Sequence, residues 1–134
     1  MKPDILVDTS SWIEFLNIPN SKSGEIIERL LRDDRVVMAG IVLTELLQGA
    51  KVKEEFDSIL ENMVALPMLE TTTHTWIEAG RISFLLRRKG VTIPTTDLII
   101  ASLAVENECH ILTLDPHFKK IPGINLYTVA DSKT

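Results

Sequence analysis

Three short segments, Ile5-Leu6-Val7, Val36 to Ala39 and Ile111 to Leu114, are apolar almost without interruption. That constrains the fold more than any other feature. A strand with one wet face alternates apolar and polar residues, whereas an unbroken apolar run belongs to a strand covered on both faces. Between these runs the periodicity becomes helical. Strands buried on both faces and alternating with helices predict an α/β fold: a parallel twisted sheet of four to five strands with helices on both faces. Val64 to Leu66, stopped by Pro67, and Leu126 to Val129 are the further strand candidates. At 134 residues the chain is read as one domain, residues 1–134, large enough to bury its own core.

The helices are legible from spacing and stops. Ser11 and Glu14 have capping-box spacing, so a helix is expected to begin just after Asp8. Ile26, Ile27, Leu30 and Leu31 stripe a second helix, and Leu43, Leu46 and Leu47 mark a third that Gly49 weakens or ends. Phe56, Ile59, Leu60 and Met63 repeat at amphipathic helix spacing. A long helix is predicted from about Thr72 to Lys89, with Trp76, Ala79, Ile82 and Leu86 inward and Gly90 as its stop. The last helix, after Thr95 or Thr96 as N-cap, is hydrophobic all round from Leu98 to Val105 and therefore reads as buried. It nevertheless begins with Asp97, where an uncompensated charge is costly.

Asp97 has company. Ligands of an open parallel sheet bind beyond the carboxyl ends of its strands. Asp8 closes the first strand and Asp115 a later one, and Glu45 lies one turn into the helix after the second strand. Each acid alone has an ordinary explanation as a cap, a turn residue or an exposed helical carboxylate. Four of them meeting at one sheet edge is less ordinary. Two carboxylates 4 Å apart repel by ~4 kcal/mol at an effective dielectric of 20. Four such groups need a cation or raised pKa values, and a hard divalent ion such as Mg²⁺ or Mn²⁺ suits oxygen ligands. His74, His110 and His117 are scattered and make no zinc pattern; only His117, two residues past Asp115, is kept as a site neighbour.

The chain carries neither a dinucleotide fingerprint nor a Walker-type phosphate loop. Its lone Cys109 excludes an internal disulfide framework. No apolar run is long enough to span a bilayer, and Asp4 and Asp8 interrupt any signal-peptide pattern, so a soluble cytoplasmic protein is expected. A net charge of −5 argues against a broad basic nucleic-acid face. Local basic clusters remain at Arg87-Arg88-Lys89 and Lys119-Lys120, each more commonly a solvated helix end or loop.

Four segments, ILVDTSSWIEFL, IVLTELLQGA, IPTTDLIIASLA and HILTLDPHF, resemble PIN-domain ribonucleases, and specifically VapC-type toxins, in order and spacing. The resemblance implies that Asp8, Glu45, Asp97 and Asp115 form a catalytic acidic quartet holding Mg²⁺ or Mn²⁺, with Ser10 and Thr113 as supporting hydroxyls. It implies metal-assisted hydrolysis of RNA, with Glu45 orienting water or assisting proton transfer. Arg81, Arg87, Lys119 and Lys120 are candidate RNA contacts. It further implies a homodimer and a VapB-type antitoxin partner. Trp12, Phe15, Leu16 and the Ile26–Leu30 helix are candidates for docking the antitoxin by a helix-in-groove mode, against the simpler reading that they are core, which is favoured for Ile26 to Leu31. Other readings fare worse. A phosphorelay receiver carries paired acids after its first strand, and a haloacid-dehalogenase-type phosphatase has an acid where Ser10 stands. An RNA-processing nuclease without an antitoxin and a binding-only scaffold are the alternatives within the same fold.

Overall fold

The computed structural model describes residues 2–128. Its sheet contains β1 (Ile5–Val7), β2 (Val36–Ala39), β3 (Met68–Leu69) and β4 (His110–Leu112), in the order β3-β2-β1-β4 with every pairing parallel. β1 and β2 are buried at every position, as their unbroken apolar runs require. Six α-helices connect the strands: α1 (Thr9–Asn17), α2 (Lys22–Arg32), α3 (Gly40–Gln48), α4 (Lys53–Val64), α5 (Thr73–Arg88) and α6 (Thr95–Glu106).

The strand order locates the functional edge. The chain leaves β1 through α1 and α2 to β2, and then through α3 and α4 to β3, always moving in one direction. It then returns through α5 and α6 to β4, on the other side of β1. Right-handed crossovers place these two groups of helices on opposite faces of the sheet. The point where the direction reverses, between β1 and β4, is where an open α/β sheet leaves a crevice.

Several local expectations shift. Val64 ends α4, and the third strand forms after Pro67 rather than before it. β4 stops at Leu112, so Asp115 is reached through Thr113 and Leu114. The expected last strand reduces, among the described residues, to one parallel bridge between Ile111 and Leu126; Val129 lies outside the described residues. Helix α1 does begin after Asp8, but Ser11 is buried inside it and makes no capping box. The capping box is at Thr72 and Thr75 instead, opening α5. Pro94, not Thr95 or Thr96, is the N-cap of α6. On α4 only Ile59 and Met63 of the four apolar positions are buried.

On α5 the buried stripe is Thr75, Ala79 and Leu86, and Trp76 is 54% exposed. Burying Thr75 is made possible by its hydroxyl, which donates to Glu106 Oε2 at 2.9 Å and so ties α5 to the end of α6. Trp12 is 1% exposed and packs edge-to-face against Phe15, which removes it from any docking surface. Ile26, Ile27 and Leu30 are likewise core.

Gly90 ends the α5 region at φ +81°, and a Cβ there would meet nothing within 4 Å. The backbone conformation alone therefore penalises a side chain. Gly90→Ala is expected to cost about 1 kcal/mol, read as a lower urea midpoint with unchanged slope. An unchanged midpoint would show that residue 90 can leave the left-handed region freely.

Candidate active site

Asp8 leaves β1 with an extended backbone and becomes the N-cap residue of α1, yet its side chain does not cap the helix. Its Oδ2 instead accepts hydrogen bonds from the Thr113 hydroxyl at 2.7 Å and the Ser10 hydroxyl at 2.9 Å. The same two hydroxyl oxygens accept backbone N–H groups from the segment after β4: Leu114 donates to Ser10 and Asp115 to Thr113. Two side chains thus lock a 4%-exposed carboxylate and the strand-end loop to each other. With Oδ2 held this way, Oδ1 is left for a cation.

Asp97 occupies the first turn of α6. The helix N-terminus favours a negative charge there, but burial outweighs it. Asp97 is 9% exposed. Its pKa is pushed from 3.8 to about 6, first by burial and then by the neighbouring charges of Asp8 and Asp115, with Glu45 adding a little and His117 opposing. These couplings put all four predicted acids in one electrostatic neighbourhood.

Asp115 caps the 3-10 turn Pro116–Lys120, accepting the His117 N–H at 2.8 Å. The turn brings the His117 ring back over the acids. Its Nδ1 lies 3.1 Å from Asp115 Oδ1 and 3.7 Å from Asp97 Oδ2. Ligand-type atoms of Asp97, Asp115 and His117 all fall within 4.8 Å of one another. Neither Asp8 nor Glu45 is part of this group; Glu45 Oε1 accepts the Thr9 hydroxyl at 2.7 Å. Thr9 is not among the site residues expected from the sequence, where its place beside Asp8 in Asp8-Thr9-Ser10 is the available signal.

The basic residues are less uniformly placed. Arg81 is on the exposed side of α5 and pairs with Glu78 at 3.0 Å. Arg87 lines a groove between α5 and α6 together with Thr95 and Leu98, two and one positions from Asp97. Lys119 lines a second groove that includes Thr113 and Asp115. Lys120 is exposed at the end of the 3-10 turn.

The donor chemistry fits a divalent cation. Burial and mutual repulsion both disfavour the charged form of such carboxylates, and a bound cation relieves both. A stability consequence follows for the metal-free protein. Because the folded state holds the Asp97 proton up to about pH 6, this contribution is full below pH 3.8, the unfolded value, and disappears as pH rises through 6. The loss by neutral pH is about 3 kcal/mol. Urea unfolding in EDTA should show wild type losing stability relative to Asp97→Asn across this window. Parallel pH profiles for the two proteins would contradict it.

Comparison with known proteins agrees with the geometry. The family model described as PIN domain matches residues 5–124. The protein is 31% identical to Ribonuclease VapC11 of Mycobacterium tuberculosis, an alignment covering 90% of this chain and 92% of the relative. It is also 31% identical to the tRNA(fMet)-specific endonuclease VapC of Salmonella typhimurium, over 90% of this chain and 94% of that one. The crystal structure of DNA-bound VapBC from Salmonella typhimurium superposes with a TM-score of 0.79 at 28% identity, covering 94% of this chain and 98% of that chain.

Proposed function

The chain belongs to the PIN-domain family, among its VapC ribonucleases, and on that premise we propose that it is a divalent-metal-dependent endoribonuclease acting as the toxin of a VapBC-type pair. The observation that carries the reading is the convergence of Asp8, Asp97 and Asp115 at the sheet's switch point, where burial first, and then the charges of Asp8 and Asp115, raise the Asp97 pKa to about 6. Asp8, Asp97 and Asp115 are the residues that would hold Mg²⁺ or Mn²⁺, with Glu45 at the margin. Such an ion supplies Lewis acidity, activating water and offsetting charge on a phosphodiester.

The chain's own residues do the positioning. Ser10 and Thr113 fix the orientation of the Asp8 carboxylate, and Asp115 is fixed by the turn it caps. Glu45, oriented by Thr9, is placed to align a water or accept its proton. No side chain is required as a covalent nucleophile. Lys119, whose groove includes Asp115, and Arg87, whose groove includes chain neighbours of Asp97, are the stronger candidates for gripping RNA phosphates, ahead of Arg81, which is paired with Glu78, and the exposed Lys120. Removing one phosphate contact should lower the salt dependence of RNA binding by roughly one unit of log–log slope.

The solved Salmonella relative is a VapBC complex, which supports a VapB-type antitoxin as partner. With Trp12 in the core, the exposed apolar residues Ile13, Leu16 and Ile18 on and after α1 are the better docking surface. A cleft beside them, lined by Phe15, Ile18, Glu25 and Glu28, suits a basic amphipathic segment. Exposed Trp76, Ile77, Phe84 and Leu85 on α5 offer a separate face for a homodimer. No helix among the described residues is long and apolar enough to cross a membrane, in keeping with action in the cytoplasm.

Induced expression of the chain without a partner should arrest bacterial growth and produce new RNA 5′ ends at a few positions. Co-expression of a small neighbouring gene should relieve it. Folded protein that neither arrests growth nor generates RNA ends would contradict the toxin reading.

A further inference from the structure

We propose that His117 is a metal ligand, and that its nitrogen biases this site away from Mg²⁺ towards Mn²⁺ and makes it a trap for Zn²⁺. The inference rests on the metal-dependent reading above and concerns which ion the site prefers.

The argument begins with an unsatisfied atom. His117 Nδ1 is buried and makes no hydrogen bond, although Asp115 Oδ1 is only 3.1 Å away and Asp97 Oδ2 3.7 Å. Asp115 Oδ1 already accepts the His117 backbone N–H at 2.8 Å. When the imidazole is neutral with its proton on Nε2, this buried ring nitrogen and the two carboxylate oxygens are three electron-rich atoms turned towards one space. A cation completes such an arrangement, and the three ligand atoms lie within 4.8 Å of one another.

The ring is also built in place. Asp115 caps the 3-10 turn from one side. Phe118, the next residue, is 0% exposed and anchors the turn in the core. The backbone of His117 is therefore held in place at the mouth of the site. The side chain as a whole is 43% exposed although Nδ1 itself is buried.

The chemistry then sets the preference. Mg²⁺ is a hard ion that keeps its waters and favours oxygen donors. Imidazole suits Zn²⁺ and other late first-row metals, and affinity for mixed nitrogen and oxygen sites rises from Mn²⁺ towards Zn²⁺. One imidazole among carboxylates thus adds little for Mg²⁺, more for Mn²⁺ and most for Zn²⁺. Zn²⁺ also prefers four ligands in a closed tetrahedron. A tightly held Zn²⁺ would consequently compete with the ions that support turnover.

The test is metal binding by the full chain, stripped with EDTA and titrated calorimetrically with Mg²⁺, Mn²⁺ and Zn²⁺ at neutral pH. His117→Ala should weaken Mn²⁺ about tenfold and Zn²⁺ by more, while Mg²⁺ changes by no more than about threefold. His117→Gln, which preserves the size but removes the imidazole, should behave like His117→Ala. Pulsed electron paramagnetic resonance of Mn²⁺-loaded wild type should show ¹⁴N coupling that both variants lack. Equal changes for all three metals, or no ¹⁴N coupling in wild type, would overturn the proposal and leave the nuclease reading intact. Recovery of wild-type affinities in His117→Gln would overturn it too, assigning His117 a packing role. If wild type binds none of the metals, the metal-dependent reading fails first and takes this inference with it.

Discussion

Asp97→Asn should reduce RNA cleavage by about 10³-fold, the scale on which loss of a preorganised charge stabiliser acts, while making the metal-free protein more stable at neutral pH. The two effects share one cause. Asp97 is 9% exposed among three other acids, and its carboxyl holds a proton to about pH 6. The amide keeps the shape and removes the charge, so it avoids a penalty of about 3 kcal/mol that the metal-free wild type bears at neutral pH. On the proposed metal-dependent reading it also removes one of the carboxylates that would hold the ion. Thermal unfolding in EDTA and cleavage assays on the same preparations would measure both. A variant that is less stable than wild type at neutral pH would show that Asp97 has a structural partner the geometry does not reveal. A variant that still cleaves at wild-type rate would remove Asp97 from the chemistry.

Phe118→Ala should be the most damaging substitution away from the acids. Phe118 is 0% exposed, and its truncation is expected to cost about 3–5 kcal/mol, much of a typical domain's stability. The expected signature is a large fall in urea midpoint. Phe118 also anchors the turn capped by Asp115 and carrying His117. In protein that still folds, metal affinity should drop even though no ligand has been touched. Phe118→Leu, which retains most of the volume, separates these effects: stability falls less and metal affinity largely returns. Unaltered metal affinity in folded Phe118→Ala would mean that Asp115 and His117 hold their positions without the anchor.

What was legible in the sequence was what depends on local pattern. Unbroken apolar runs required strands covered on both faces, and the carboxyl ends of those strands then gathered Asp8 and Asp115 at one edge. Asp97 was conspicuous because its helix had no polar face to receive it. What escaped depends on contacts between distant segments. Trp76 looked inward because tryptophan is apolar, but the buried stripe of α5 runs through Thr75, whose hydroxyl finds Glu106 31 residues away. Trp12 looked available for a partner because nothing nearby in the chain reveals that the core closes over it. Thr9 pairs with Glu45 36 residues on, a bond that no spacing rule anticipates. The strand near Pro67 was misplaced by a few residues, because the apolar end of α4 and a short strand read alike without their neighbours.

The central claim is that the acids at the junction of β1 and β4 cut RNA with the aid of a divalent ion. The most direct measurement is incubation of a mixed tRNA and ribosomal RNA pool with purified protein freed of any partner, in Mg²⁺, in Mn²⁺ and in EDTA. The expected result is cleavage at a small number of positions in either metal and none in EDTA. Cleavage that persists undiminished in EDTA, or that Asp97→Asn performs equally well, would contradict the claim.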